Sequence, residues 1–193
     1  METNLNNLYL FRALDAYPYE LEKAVEALNY ALSYDPENAK ALHLMAKICD
    51  EQLNDFNAAK DFYERALASR MDIPDLYPDY IRFLINNDAP EEAQRLIDFA
   101  KSVRGIDKAG IAIVQAQLFE SLNQFSEAEK AVKEAKQLAL NEGFISFADT
   151  MLSRLKRKRK VQENEKRVQE HQSKKEEEAN KTNWFQNRLN SLL

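Results

Sequence analysis

The sequence NAAKDFYERAL at residues 57–67 places a small, a large and another small residue on one face of a helix. Ala59, Tyr63 and Ala66 are separated by four and three positions, the spacing at which side chains line one side of an α-helix. A small residue at such a position allows the backbone of a neighbouring helix to approach closely. The stretch therefore predicts an amphipathic helix that packs tightly against a second helix.

The same pattern of small, large and small residues occurs four times along the chain. The first alanines of the four copies are Ala24, Ala59, Ala93 and Ala128, at steps of 35, 34 and 35 residues. The residues that complete the pattern are Leu28 and Ala31, Tyr63 and Ala66, Ile97 and Ala100, and Val132 and Ala135. A period of this length is typical of repeats built from helix pairs, which bury their apolar faces by stacking.

A second apolar stripe precedes each copy of the pattern and predicts the first helix of each pair. These stripes are Leu8/Phe11, Leu42/Met45/Ala46/Cys49, Tyr77/Tyr80/Ile81/Leu84 and Ile111/Val114/Gln115/Leu118. A fifth stripe at 144–151 follows the last pair and predicts a capping helix. The turns LNDF at 53–56 and LNQF at 122–125 occupy equivalent places, and Ser126 with Glu129 has the spacing of a capping box.

The residues DPEN at 35–38, together with the repeated Ala…Tyr…Ala helix, resemble the tetratricopeptide repeat family. The resemblance implies an all-α, right-handed superhelix of about four helix pairs plus a capping helix over residues 1–155. It also implies a non-catalytic adaptor or scaffold that binds a peptide or a helix of a protein partner in a concave groove.

In this family the first helix of each pair lines the groove. The residues of this chain at such positions include Tyr9, His43, Leu44, Lys47, Arg82, Ile113, Ala116 and Phe119. The last three would form an exposed apolar strip, which is typical of a partner site. The alternative is that the capping helix covers this strip.

Charge is distributed unevenly along the chain. Residues 1–153 carry 15 basic and 26 acidic side chains, net −11, whereas residues 154–193 carry 12 basic and 6 acidic ones, net +6. The basic part includes a cluster of five consecutive residues, Lys156, Arg157, Lys158, Arg159 and Lys160. The cluster can be a solvated helix end, a contact for nucleic acid or an acidic partner, or a nuclear import signal. The second interpretation leaves a nucleic-acid-associated accessory protein as an alternative function.

The rest of the chain predicts two segments beyond the repeats. Polar helix-forming residues without Gly or Pro predict a charged helical or partly disordered extension over 156–181, and residues 182–193 predict a short amphipathic helix. The apolar residues of that helix are Trp184, Phe185, Leu189, Leu192 and Leu193. About ten residues do not form a stable helix alone in water, so this face must dock on another surface. The candidates are the chain's own groove, the groove of a second copy, another protein, and a membrane surface, the last of which would make the protein a membrane-peripheral assembly factor.

Composition argues against several other classes of protein. The chain has 3 Gly, 1 Cys and 2 His, too few for glycine-rich phosphate loops or cysteine zinc sites. Cys49 lies on a buried stripe and is predicted to be a packed small side chain. We predict no enzyme activity, no cofactor and no metal. The sequence shows neither a signal-peptide pattern nor a long apolar stretch, which predicts a cytoplasmic protein.

Overall fold

The alanines of the repeated pattern are completely buried, which sets the distance between neighbouring helices. The computed structural model describes the backbone of residues 2–190 and the side chains of residues 8–173 and 175. In it, both alanines of all four copies have 0% exposure and the large residues between them at most 1%. The repeated pattern is therefore the contact surface of the second helix of each pair, as predicted.

The described residues form nine α-helices and no strand. They are α1 (Glu2–Ala16), α2 (Leu21–Tyr34), α3 (Ala39–Glu51), α4 (Phe56–Ser69), α5 (Leu76–Asn86), α6 (Pro90–Ala100), α7 (Lys108–Ser121), α8 (Phe125–Leu138) and α9 (Glu142–Asn190). Consecutive helices pack as the pairs α1–α2, α3–α4, α5–α6 and α7–α8, and α9 packs on α8. The predicted all-α solenoid of four helix pairs with a capping helix is confirmed.

The turns within three of the pairs use Asn or Asp where many proteins use glycine. Asn54, Asp88 and Asn123 have φ angles of 51°, 53° and 56°, in the left-handed region of backbone conformation. Asn and Asp tolerate this region better than other residues that carry a Cβ atom. The scarcity of glycine is thus compatible with three sharp helix–helix turns.

Side-chain caps begin several helices, although not all of the predicted ones. Asn38, Asp55 and Asp107 accept backbone N–H groups at the starts of α3, α4 and α7, over 3.1, 3.1 and 3.0 Å. The predicted capping box at Ser126 and Glu129 is wrong, because α8 begins one residue before Ser126 and Glu129 is buried.

The core consists of two apolar clusters that meet at α7. Ile111, Val114 and Leu118 belong to a cluster that extends back to α1, whereas Ile113 and Ala116 belong to a second cluster formed with α8 and α9. A helix that is apolar on all sides is expected to be buried on more than one side, and α7 fits that rule.

The first part of α9 caps the solenoid and the rest extends beyond it. Ala148, Met151 and Leu155 are buried in the cluster with α7 and α8. Gln162 donates a hydrogen bond to the Asn123 carbonyl over 3.2 Å. Every described side chain from Glu163 onward is exposed. The predicted boundaries between segments, at 155 and 181, both fall inside this one helix.

A substitution in α4 tests the role of the buried alanines. Ala59 is fully buried, whereas Ala68 is exposed on the same helix. We expect Ala59→Leu to lower the free energy of unfolding by about 1–3 kcal/mol, because the added atoms force α4 away from its neighbours. Ala68→Leu, the matched control, is expected to change it by less than about 0.5 kcal/mol. Urea denaturation followed by circular dichroism measures both, and equal losses would contradict the packing argument.

Candidate functional site

A concave cavity of 930 Å³ lies on the face formed by the odd-numbered helices. We call this surface the groove. It is lined by Leu14 and Tyr17 at α1, Lys40, His43, Leu44 and Lys47 of α3, Ile73, Asp75, Pro78, Asp79 and Arg82 at α5, Asp107, Gly110, Ile113 and Gln117 at α7, and Phe144 and Phe147 of α9. Five of the eight predicted groove residues lie here: His43, Leu44, Lys47, Arg82 and Ile113. Whether they bind a partner stays a prediction.

Groove residues recur with the period of the repeats. Leu44, Asp79, Ile113 and Phe147 occupy equivalent positions at steps of 35, 34 and 34 residues. Sequence reasoning missed Phe147 because it treated the capping helix as a cover for the core. Extending the repeat period into α9 would have found this residue.

Asp79 is the electrostatic centre of the groove. Its carboxylate accepts from His43 Nε2 at 3.0 Å, in the tautomer that carries the proton there, and from Arg82 Nη1 at 2.8 Å. The Lys47 ammonium lies 3.3 Å away. Since His43 and Lys47 belong to α3 and Asp79 to α5, these contacts join the first helices of two adjacent pairs.

The surroundings of Asp79 strongly favour its charged form. Burial by itself would raise the pKa of this carboxyl, because it removes water from the carboxylate. The hydrogen bond from His43 and the charge of Lys47 outweigh burial and lower the pKa to about 2. Asp79 is therefore a carboxylate whose charge is already balanced inside the protein.

The charged network extends to the turn after α1. The Tyr17 hydroxyl donates to a Glu51 carboxylate oxygen, and the Lys47 ammonium lies 4.0 Å from the other one. Burial and the hydrogen bond to Glu51 raise the pKa of the Tyr17 phenol above its ordinary value. No sequence pattern pointed to Tyr17, because its partner lies 34 residues further along the chain.

Apolar side chains make up the rest of the groove. Leu44, Ile73 and Ile113 are buried at 5–8% exposure, whereas Leu14 and Phe147, from the first and last helices, are 50% and 51% exposed. The groove thus combines balanced charges with apolar side chains that remain accessible.

The structure places three predicted groove residues elsewhere. Tyr9 packs against α2, where its ring stacks on Tyr30 and Tyr34 at centroid distances of 5.1 and 6.0 Å. Ala116 is fully buried in the cluster with α8 and α9, and Phe119 packs against that cluster. The expectation that these residues line the groove is wrong.

The error at α7 arises because α8 and α9 pack over the side of this helix that carries Ala116. Ala116 is the repeat equivalent of Lys47 and Arg82, at steps of 35 and 34 residues, but on α7 the next residue, Gln117, lines the groove instead. One residue turns the side chain by about 100° around a helix, so Gln117 lies in the groove while Ala116 lies in the core with α8 and α9. The alternative in which the capping helix covers this strip is the correct one for Ala116, because Met151 of α9 lies in the same cluster.

Part of the basic cluster attaches α9 to the last helix pair. Lys158 pairs with Glu120 of α7 at 2.8 Å, next to Arg154, which contacts the same carboxylate at 2.7 Å. Arg159 pairs at 2.8 Å with Glu129, whose side chain is only 7% exposed. Burial alone would raise the pKa of Glu120, but the hydrogen bonds from Arg154 and Lys158 lower it below its ordinary value.

The remaining predicted site residues fall on exposed parts of the chain or outside the described part of the structure. Lys156, Arg157 and Lys160 are exposed. The side chains of Trp184, Phe185 and Leu189, and residues Leu192 and Leu193 altogether, lie outside the described part of the structure.

The surroundings of Cys49 and of the potential metal ligands bear on thiol and metal chemistry. Cys49 is buried at 5% exposure on α3, and burial raises the pKa of its thiol. Among the described residues, no group of three or more His, Cys, Asp or Glu side chains is arranged to hold a metal ion.

Comparison with known proteins identifies the repeat. A tetratricopeptide repeat family profile matches residues 39–70, the segment that forms α3 and α4. Residues 39–70 of the chain are therefore a tetratricopeptide repeat. No protein of curated function matches the sequence at a significant level.

Solved structures share the solenoid fold of this chain. The fold is similar to pilF of Pseudomonas aeruginosa, with a TM-score of 0.70 and 18% identity over 83% of this chain and 71% of that one. It is also similar to PilW, a widely conserved type IV pilus biogenesis factor. The TM-score is 0.62, with 21% identity over 68% of this chain and 61% of that one. The MamA protein is similar as well, with a TM-score of 0.61 and 14% identity over 82% of this chain and 90% of that one. At these identities the similarities establish the fold.

Within the described residues, none of the helices combines the length and the apolar character that a membrane span requires.

Removing the Asp79 charge tests the groove network. Because the pKa of folded Asp79 is about 2, below the ordinary 3.8, its contacts stabilise the fold above about pH 4, and this stabilisation is lost as the pH falls toward 2. We expect Asp79→Asn to lower the free energy of unfolding at neutral pH by about 2 kcal/mol and to flatten its acid dependence.

Urea titrations between about pH 2 and pH 6 measure this effect. The matched control is Asp75→Asn, which removes an exposed carboxylate of the same groove and should cost less than about 0.5 kcal/mol. An Asp79→Asn variant with the acid dependence of wild type would show that the network does not stabilise the fold.

A second pair of variants tests the attachment of α9. Arg159→Met leaves the buried Glu129 carboxylate without its cation, which should cost about 1–2 kcal/mol, between the values for exposed and buried ion pairs. Lys156→Met removes an exposed cation of the same cluster and should change stability by less than about 0.5 kcal/mol. Thermal and urea unfolding provide the comparison, and an equal effect of the two substitutions would refute a structural role for Arg159.

Proposed function

We propose that this protein is a non-catalytic adaptor that binds a peptide or a helix of a protein partner in its groove. The observation that carries the proposal is the 930 Å³ concavity lined by all five odd-numbered helices. Tetratricopeptide repeats present such a concave surface because each stacked pair adds one helix to it.

The chemistry of the groove indicates what kind of partner fits. Accessible apolar side chains at Leu14 and Phe147 favour a partner with its own apolar face. The Asp79 charge is already balanced by His43, Lys47 and Arg82, so the groove floor has little net attraction for an isolated cation. An amphipathic segment with several apolar side chains is the partner that this surface supports best.

The alternatives from the sequence receive less support. Lys158 and Arg159 neutralise carboxylates of α7 and α8, which leaves fewer free cations for nucleic acid than the sequence suggests. The membrane alternative depends on the apolar residues of 182–193, and a cytoplasmic location stays a prediction. The similarity to pilF and PilW supports the fold of this chain and no particular role, because the identities are only 18% and 21%.

A matched pair of surface substitutions tests groove binding. Phe147 in the groove is 51% exposed and Leu53, outside the groove in the turn between α3 and α4, is 52% exposed. We expect Phe147→Glu to reduce retention of native partners from cell extract at least about tenfold, because the new charge is desolvated in the complex.

Leu53→Glu, which adds the same charge at the same exposure, should retain those partners. Quantitative mass spectrometry of the retained proteins, after circular dichroism has shown equal helix content in the two variants, gives the comparison. A protein set that depends equally on both positions, or on neither, would contradict binding in the groove.

A further inference from the structure

We propose that the groove receives residues 182–193 of a second copy of this chain, the C-terminal segment. This rests on the proposed function, since it assigns an occupant to the same groove. The C-terminal segment carries Trp184, Phe185 and Leu189 at helical spacing, followed by two further leucines. Its apolar face corresponds to the amphipathic partner that the groove supports.

The course of α9 favours a second copy over the chain's own groove. After Gln162, which is hydrogen-bonded to the body, α9 continues for 28 residues to Asn190, a distance of about 40 Å. No Gly or Pro occurs after Gly143, so the sequence provides no residue at which this helix is easily broken. A return to the same groove would require α9 to break and reverse, whereas docking on a second copy requires no break.

Charge complementarity supports the same arrangement. The body at 1–153 carries a net charge of −11 and the region 154–193 a net charge of +6. The C-terminal segment itself contains Arg188 and no acidic residue. The groove lining holds three acidic and three basic side chains, so the attraction comes from the acidic body as a whole and not from the groove. Attraction between opposite charges guides the segment of one copy toward the body of another.

The symmetry of this contact gives a closed dimer. Each copy has one groove and one C-terminal segment, so two copies related by a twofold axis satisfy each other twice. Such a reciprocal exchange ends at the dimer, whereas contacts of a head-to-tail kind that do not close would produce filaments.

Sedimentation equilibrium of the full-length chain at micromolar concentration tests the proposal. Wild type is expected at twice the monomer mass of 22.4 kDa. Leu189→Glu in the segment and Phe147→Glu in the groove should each shift the chain to the monomer mass. The matched controls are Asn187→Glu, two positions from Leu189 and therefore on the opposite side of a helix, and Leu53→Glu. Both controls should remain dimeric.

Mixing the two monomeric variants separates groove docking from pairing of two α9 helices. The Leu189→Glu chain keeps an intact groove and the Phe147→Glu chain keeps an intact segment, so a 1:1 mixture should regain a dimer held by one of the two contacts. A dimer that Phe147→Glu does not weaken, or a mixture that stays monomeric, would overturn the proposal.

A monomeric wild-type chain would also overturn the proposal. The C-terminal segment would then dock in the chain's own groove, on another protein or on a membrane. The proposed adaptor function would survive that result if partner retention still depended on Phe147. Different results therefore refute the dimer and the adaptor function.

Discussion

Close approach of helices at alanine is the constraint on which the rest of the structure depends. Two fully buried alanines on each second helix, separated by a large residue, allow neighbouring helices to pack without a gap. Because this contact recurs every 34 or 35 residues, every pair is added to the stack in nearly the same orientation. The same period therefore brings Leu44, Asp79, Ile113 and Phe147 to one concave surface.

Electrostatic contacts hold the two ends of this stack to its middle. Asp79 joins α3 to α5 through His43 and Lys47, and the Tyr17–Glu51 hydrogen bond brings the turn after α1 into the same network. At the other end, ion pairs from α9 reach carboxylates of α7 and α8. Two residues of the basic cluster, Lys158 and Arg159, thus attach α9 to the last helix pair, although the sequence alone left nucleic-acid binding open for them.

Much of the fold and about half of the site followed from local patterns. The repeated alanines and their helix pairs were predictable, since each depends on residues within two helical turns. The repeat period also predicted groove residues such as Lys47 and Arg82. Prediction failed at Ala116, which is buried against α8 and α9, and at Tyr9, whose ring stacks on α2.

The sequence by itself determined nearly all of the helices, their pairing and the sign of the net charge in the regions 1–153 and 154–193. Periodicity and composition are local properties and can be read without the fold. Tertiary structure alone decided which charges meet. His43 and Asp79 are 36 residues apart and Arg154 lies 34 residues from Glu120, separations that only the stacking of successive pairs converts into contacts. Tertiary structure also decided that the apolar strip of α7 is divided, with Ile113 at the groove and Ala116 in the core, because the side chains that bury Ala116 come from α8 and α9.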